Sequence, residues 1–385
     1  MSALTANDDG AAIAFGQRIL ALLDTGSFTA SYKYSVLLAL LDAVFEGTDD
    51  QGRPPTVLHG RAIGRRVVEL YWRQARPFTE DGPLAQSRQR DLVRKIAEFR
   101  VEHRVPEHAT VEHARNQHSD AFADLEREVI VTVVRYPIPL LQKIGTGGLA
   151  VERPFIYTYG WRMGVGASTV HSDGFDDRMN LIDDAGAHLT ALAGLLRPVI
   201  EREWLQFVAA RNDADVEELR LQQFLFGSER VGLGALVDPL QEIQGGRCFY
   251  CDQSAAGGWE IDHFLPWARL PDNKLDNLVL AHARCNNDKG AALASLDHLA
   301  RWTQRFDPAG RASHALAEMA ADAAWPRRPA ATLASARALY LHQPAGTPLW
   351  RGRPGLVEEL DRDRLLAVLR SDIGLAADQR GSYDV

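Results

Sequence analysis

All three cysteines of this 385-residue chain, Cys248, Cys251 and Cys285, fall within one 38-residue stretch. An odd number packed this tightly argues against a disulfide framework and for a shared metal. Two residues separate Cys248 from Cys251, and two separate His282 from Cys285, the ligand spacing that zinc prefers. Four such ligands close a tetrahedral shell, which marks a structural zinc rather than a catalytic one. Closing it would tie the two ends of the stretch together and stabilise a unit with too little core of its own. The plainer alternative is a pair of unmetallated buried cysteines beside a surface histidine.

Length allows two or three domains, each with its own core. Hydrophobic residues make up 46% and charged residues 24%, ordinary for a globular protein. No apolar run is long enough to span a bilayer. The start MSALTANDDG lacks a basic segment followed by an apolar one, so the expected location is the cytoplasm. The net charge of −8 disfavours a protein that coats nucleic acid over its whole surface, but it leaves room for local phosphate contacts.

Residues 11–46 read as two helices, the first carrying Ile13, Phe15, Ile19, Leu20, Leu22 and Leu23, with the turn Thr25-Gly26-Ser27 before the apolar Tyr32–Phe45. Further helices are expected over Arg61–Gln74 and Leu84–Phe99, the latter bearing Arg88, Arg90, Arg94 and Lys95. A basic third helix could read DNA, although a solvated charged face is the simpler reading. From Val129 to Asp183 the texture turns toward strands: Val129–Val134 is β-branched and Pro154–Tyr159 reads as a strand. Gly145, Gly147, Gly148, Gly164 and Gly166 read as turns, because no phosphate-loop lysine follows them. Helices His188–Ala210 and Asp213–Phe226 then lead to the cysteine stretch.

Between the two knuckles lies Asp262-His263. A carboxylate beside an imidazole suits phosphodiester hydrolysis, since the acid can hold a divalent cation and the neutral ring can take a proton from water. Neighbours on a strand point to opposite faces, so both serve one site only where the strand ends, as Pro266 suggests. Asn277 opens a second apolar strand, Leu278-Val279-Leu280. Asn286 starts a helix to about Arg305, with Leu293, Leu296, Leu299 and Trp302 at three-residue steps. The stretch therefore reads strand, loop, strand, helix.

In this order of elements and residues the stretch Cys248–Arg305 resembles the ββα-metal motif of the HNH endonuclease superfamily in its zinc-knuckle form. The resemblance implies that His263 is the general base and that Asp262 and Asn286 hold a catalytic Mg²⁺ or Mn²⁺. It also implies that Asn277 holds the loop that positions the histidine. Cys248, Cys251, His282 and Cys285 would bind the structural zinc. Lys289 and Arg284 would contact nucleic acid, and Glu260 is a possible auxiliary acid. One departure is His282, where relatives usually have cysteine; an alternative makes His282 the catalytic histidine. Ser31–Tyr34, Leu195–Pro198, Asp297–Leu299 and Ala338–Leu341 also resemble a recurrent bacterial HNH arrangement with a large N-terminal region.

After the motif, Ser313–Ala324 and Thr332–His342 read as helices, Pro344–Pro354 as a loop with Trp350, Arg351 and Arg353, and Val357–Leu369 as a last helix. The expected fold is α+β, mostly helical, with an embedded ββα-metal domain. The expected regions are 1–128 (helical, for target recognition or partner docking), 129–215 (mixed α/β), 216–306 (nuclease) and 307–385 (helical extension). The expected function is metal-dependent DNA cleavage in restriction or phage defence. RNA cleavage and a non-cutting zinc-stabilised DNA-binding subunit are the alternatives. DNA is the expected partner, with a homodimer or a protein partner possible and no membrane.

Overall fold

The computed structural model describes all residues except 1–5, 26–28, 81, 88–90, 146–150, 213–216, 228–232, 255–257, 345 and 371–385. The turn at residues 26–27, Arg88, Arg90, Gly147, Gly148 and the expected helix start at 213 thus lie outside the described residues. The chain forms two compact units, one of residues 1–44 and 54–227, the other of residues 45–53 and 228–385. Among the described residues no helix is long and apolar enough to cross a membrane.

Unit 1 is built on helices. In chain order they are α1 (Ala6–Thr25), α2 (Tyr32–Glu46, whose last two residues belong to unit 2), α3 (Gly60–Gln74), α4 (Leu92–Glu102), α5 (Val111–Gln117), α6 (Ser119–Arg135), α7 (Pro137–Leu140), α8 (Ala167–Val170), α9 (Ala185–Arg211) and α10 (Glu218–Phe226). Its strands are β1 (Val57–His59), β2 (Lys143–Ile144), β3 (Val151–Glu152), β4 (Tyr157–Tyr159) and β5 (Arg178–Leu181). β1, β5 and β4 form a three-stranded antiparallel sheet, with Leu58 opposite Met179 and Tyr157 opposite Leu181. The expected division at residue 128/129 falls inside unit 1, because β1 pairs with β5 across it.

The apolar run of α2 explains its depth: Val36 through Leu41 and Val44 are buried. Asp42 is the exception, also buried, and it is paired with Arg66 of α3 and Arg197 of α9. The β-branched run Val129–Val134 is not a strand but the last turns of α6. Phe122, Leu125, Val129 and Val133 fall at helical spacing and are buried, so tertiary burial outweighs β-propensity there. α6 packs along α3 at a close approach through Gly64, where an added Cβ would stand 2.8 Å from the Ile130 Cα.

Unit 2 holds α11 (Val237–Ile243), β6 (Trp259–His263), β7 (Leu278–His282), α12 (Ala283–Lys289), α13 (Leu296–Thr303), α14 (Arg311–Asp322), α15 (Pro329–Leu341), β8 (Pro348–Gly352), β9 (Leu356–Glu359) and α16 (Arg362–Arg370). β6 and β7 form an antiparallel hairpin with Asp262 opposite Val279 and His263 opposite Leu278. One face of the hairpin, with Ile261, Leu278 and Leu280, packs on Leu236 and Leu240 of α11 region and on Leu316 and Met319 of α14. The fold is thus α+β and mostly helical, with a strand, loop, strand, helix motif embedded in it.

Three local expectations are corrected. The helix after Asn286 does not run to Arg305. It stops at Lys289, Gly290 takes φ +50°, and a new helix starts at Leu296 behind the Ser295 cap. Leu293, Leu296, Leu299 and Trp302 are nevertheless all buried. Residues 344–354 are not a simple loop, because β8 pairs with β9. The last helix accordingly starts at Arg362, since Leu356–Glu359 is the second strand of that hairpin.

Candidate active site and metal centre

The two knuckles meet. Cys248, Cys251, His282 and Cys285 place their ligand atoms within 4.8 Å of one another. His282 ends β7 and begins α12, which turns its ring back toward the first knuckle. Its Nδ1 lies 3.3 Å from the Cys251 Sγ and 4.0 Å from the Cys285 Sγ, while its backbone N–H donates to the Cys248 Sγ at 3.4 Å. Trp259 stacks on the imidazole, 5.3 Å between centroids and 6° from parallel. Burial, and then the Cys248 and Cys251 sulfurs beside it, push the Cys285 thiol up to about 12. Such a thiol is a poor anion without a cation beside it. The donor set and its spacing fit a tetrahedral zinc, whose Zn–S bonds of about 2.3 Å need only a small contraction. His282 thus stands in this cluster with the three cysteines.

β6 ends at His263, and Asp262 and His263 are its last two paired residues, opposite Val279 and Leu278. Glu260 and Asp262 look toward α12. The Asn286 Nδ2 donates to the Glu260 Oε2 at 2.9 Å, leaving the Asn286 Oδ1 as an acceptor. The Asp262 Oδ2 takes the Tyr250 hydroxyl at 2.5 Å and the Lys289 ammonium at 2.8 Å. Asp262 Oδ1 accepts no hydrogen bond from the described residues. Two free amide and carboxylate oxygens are the hard donors a Mg²⁺-class ion takes, with water filling the rest of its shell.

The His263 Nε2 lies 2.7 Å from the Asn273 Oδ1. An amide oxygen only accepts, so Nε2 carries the proton and Nδ1 keeps its lone pair. Burial lowers the His263 pKa below its ordinary value, against the opposing pull of Asn273, Asp262 and Asp272. The ring is therefore neutral at neutral pH. Trp267 flanks it at 5.1 Å.

Asn277 is fully buried and ties the loop between the strands. It accepts from the Leu265 N–H at 2.7 Å and donates to the carbonyls of Leu265 (3.2 Å) and Asp272 (2.9 Å). That loop carries Asn273. Lys289 departs from expectation. Its side chain is buried, and its ammonium is held by Asp262 and by the His263 carbonyl at 2.9 Å, so it faces inward rather than toward a phosphate. Arg284 is exposed on the first turn of α12. Tyr250, Asn273 and Trp267 are site residues that sequence reasoning missed. Tyr250 looked like a spacer within a knuckle, and the other two lie in a loop without periodic pattern.

Residues 250–295 match the HNH endonuclease family model. These residues are an HNH endonuclease domain. The protein is accordingly a nuclease, a phosphodiester hydrolase, and its Cys/His cluster fits the zinc-knuckle form of the HNH superfamily. No curated protein and no solved structure matches the chain.

Proposed function

We propose that the HNH domain hydrolyses DNA phosphodiester bonds with one Mg²⁺-class ion and His263 as general base. The observation that carries this reading is the one-sided tethering of His263. Its Nε2 is committed to Asn273, which leaves Nδ1 free to take a proton from water. Asp262 and Asn286 would hold the ion through their free oxygens. When bound, such an ion neutralises charge on the pentacovalent phosphate and on the leaving 3′ oxygen. Glu260 fixes which way the Asn286 amide faces, and Asn277 holds the loop that presents Asn273. Lys289 holds Asp262 in register rather than touching DNA. Arg284, exposed on the first turn of α12, would meet the backbone phosphates.

The residues before 216 are too many for a bare cutting module, and choice of target is the role we assign them, in restriction or phage defence. A single HNH site cuts one strand, so a double-strand break would take two copies or two successive nicks. The deciding experiment compares wild type and His263→Ala on supercoiled plasmid with and without Mg²⁺ or Mn²⁺, using unmodified, methylated and hydroxymethylated DNA, and structured RNA in parallel. Metal-dependent nicking of plasmid that disappears in His263→Ala, with zinc content unchanged, is the expected result. Equal cutting by the variant would overturn the role of His263, and cleavage of RNA alone would overturn the substrate.

A further inference from the structure

The reading of Asp262 as a metal ligand leaves a question of aim. A carboxylate held at one point swings about its Cβ–Cγ bond, and both oxygens then compete for the ion. Here two donors converge on a single oxygen, the Tyr250 hydroxyl at 2.5 Å and the Lys289 ammonium at 2.8 Å. With Oδ2 held from two directions, Oδ1 alone is left for the ion and its direction is fixed. Partners of this kind behind a metal ligand are commonly worth 10–100-fold in metal affinity or activity.

Tyr250 has to be held in turn, and three segments do so. Its backbone carbonyl accepts from the His298 Nε2 at 3.0 Å, and the His298 Nδ1 is 2.9 Å from the Ser295 Oγ. Its ring meets His298 edge-on at 5.3 Å and Trp350 edge-on at 5.1 Å, and those two rings stack on each other at 5.6 Å. Trp350 belongs to the β8–β9 hairpin, 88 residues beyond Asp262 in the chain. It is anchored at both ends. Its indole N–H donates to the Asp288 Oδ2 at 2.8 Å, and its backbone exchanges two 2.7 Å bonds with Leu293 and Ser295, in the link between α12 and α13.

We propose that Tyr250 is a positioning residue for Asp262 and that the β8–β9 hairpin, through Trp350, sets Tyr250 in place. The C-terminal extension is then part of the metal-site architecture and not only a buttress of the fold. The inference rests on the proposed role of Asp262, so the test includes a control for that role.

The test uses the full chain and reads Mn²⁺ affinity by electron paramagnetic resonance of the free ion, with zinc content, melting temperature, and kcat and KM for plasmid nicking measured alongside. The variants are Tyr250→Phe, Trp350→Ala, Trp350→Phe, the Tyr250→Phe/Trp350→Ala pair, and Asp262→Ala. Tyr250→Phe should keep its zinc and its melting temperature, bind Mn²⁺ 10–100-fold more weakly, and lose kcat at fixed metal with KM for DNA unchanged. Trp350→Ala should weaken Mn²⁺ binding in the same way. The pair should be no worse than Tyr250→Phe alone, because Trp350 acts through the hydroxyl that Tyr250→Phe has already removed. If Trp350→Ala loses zinc or fold, Trp350→Phe carries the same comparison, since it keeps a ring and drops the bond to Asp288. Wild-type Mn²⁺ affinity in Tyr250→Phe would overturn the inference, and fully additive losses in the pair would overturn its hairpin half. Wild-type affinity in Asp262→Ala would instead overturn the reading of Asp262 as ligand.

Discussion

Asn277 makes no contact with the reacting atoms in the proposed mechanism, yet its amide spends all three of its observed hydrogen bonds on the loop that carries Asn273. Replacing it by alanine leaves a buried N–H and two carbonyls without partners, which costs roughly 2–4 kcal/mol. Urea unfolding of Asn277→Ala should show that loss, together with slower cleavage by the folded fraction. An unchanged midpoint would show that water replaces the amide. Asn277, like Asp262, His263 and Asn286, stands out in the sequence because it sits at a fixed offset within one short motif. Tyr250 and Asn273 do not, because their roles depend on which atoms the folded loop and knuckle bring within 3 Å. The resemblance implies that Lys289 contacts nucleic acid. Its ion pair with Asp262 reverses that.

At the scale of elements, periodicity identified α2, α3 and α9 within a few residues of their ends, since each buries a face long enough to leave a pattern. It failed where a short segment is held by non-local partners. β8 becomes a strand through its bonds to β9 and to the α12–α13 link, neither of which is visible locally. α2, α3 and α9 also share a charged cluster in unit 1, where Asp42 is flanked by Arg66 and Arg197, with Glu201 one turn along α9. Burial raises Glu201 to about 7, with Asp42 adding to the rise and Arg197 opposing it. Its folded pKa lies above its unfolded one, so its contribution to stability is fully present below the usual carboxylate range and is lost as pH rises through 7. Holding it ionised at pH 8 costs roughly 1–3 kcal/mol. Glu201→Gln should therefore melt close to wild type at pH 5 and above it at pH 8. A melting difference that does not change with pH would place the proton elsewhere.

On the scale of the whole molecule, each unit has its own core, and among the described residues the Cys/His cluster that fits a zinc lies in the second. A structural zinc in a small unit contributes directly to its folding. Removing it with a strong chelator should lower the melting of unit 2 in a calorimetric trace and leave the transition of unit 1 where it was. A trace that does not move on chelation would mean that the four ligands hold no ion that matters to folding. Cysteine placement pointed to the Cys/His cluster that unit 2 forms. It carried no sign of the unit's discontinuity, because no local pattern marks a nine-residue loop as belonging to a distant part of the chain.

That loop, residues 45–53, limits how such a protein can be shuffled. Lys274, four residues before the first residue of β7 and buried, pairs with Asp272 at 3.1 Å and with Glu46 at 2.9 Å, and Gly52 lies against Leu341. A recombination breakpoint at residue 228 would carry off the nuclease unit without Glu46 and leave an inward-facing ammonium short of one carboxylate. The nuclease unit is therefore inherited together with the α2 segment or arrives damaged, and gene fusions that move it as a cassette must bring both pieces of sequence.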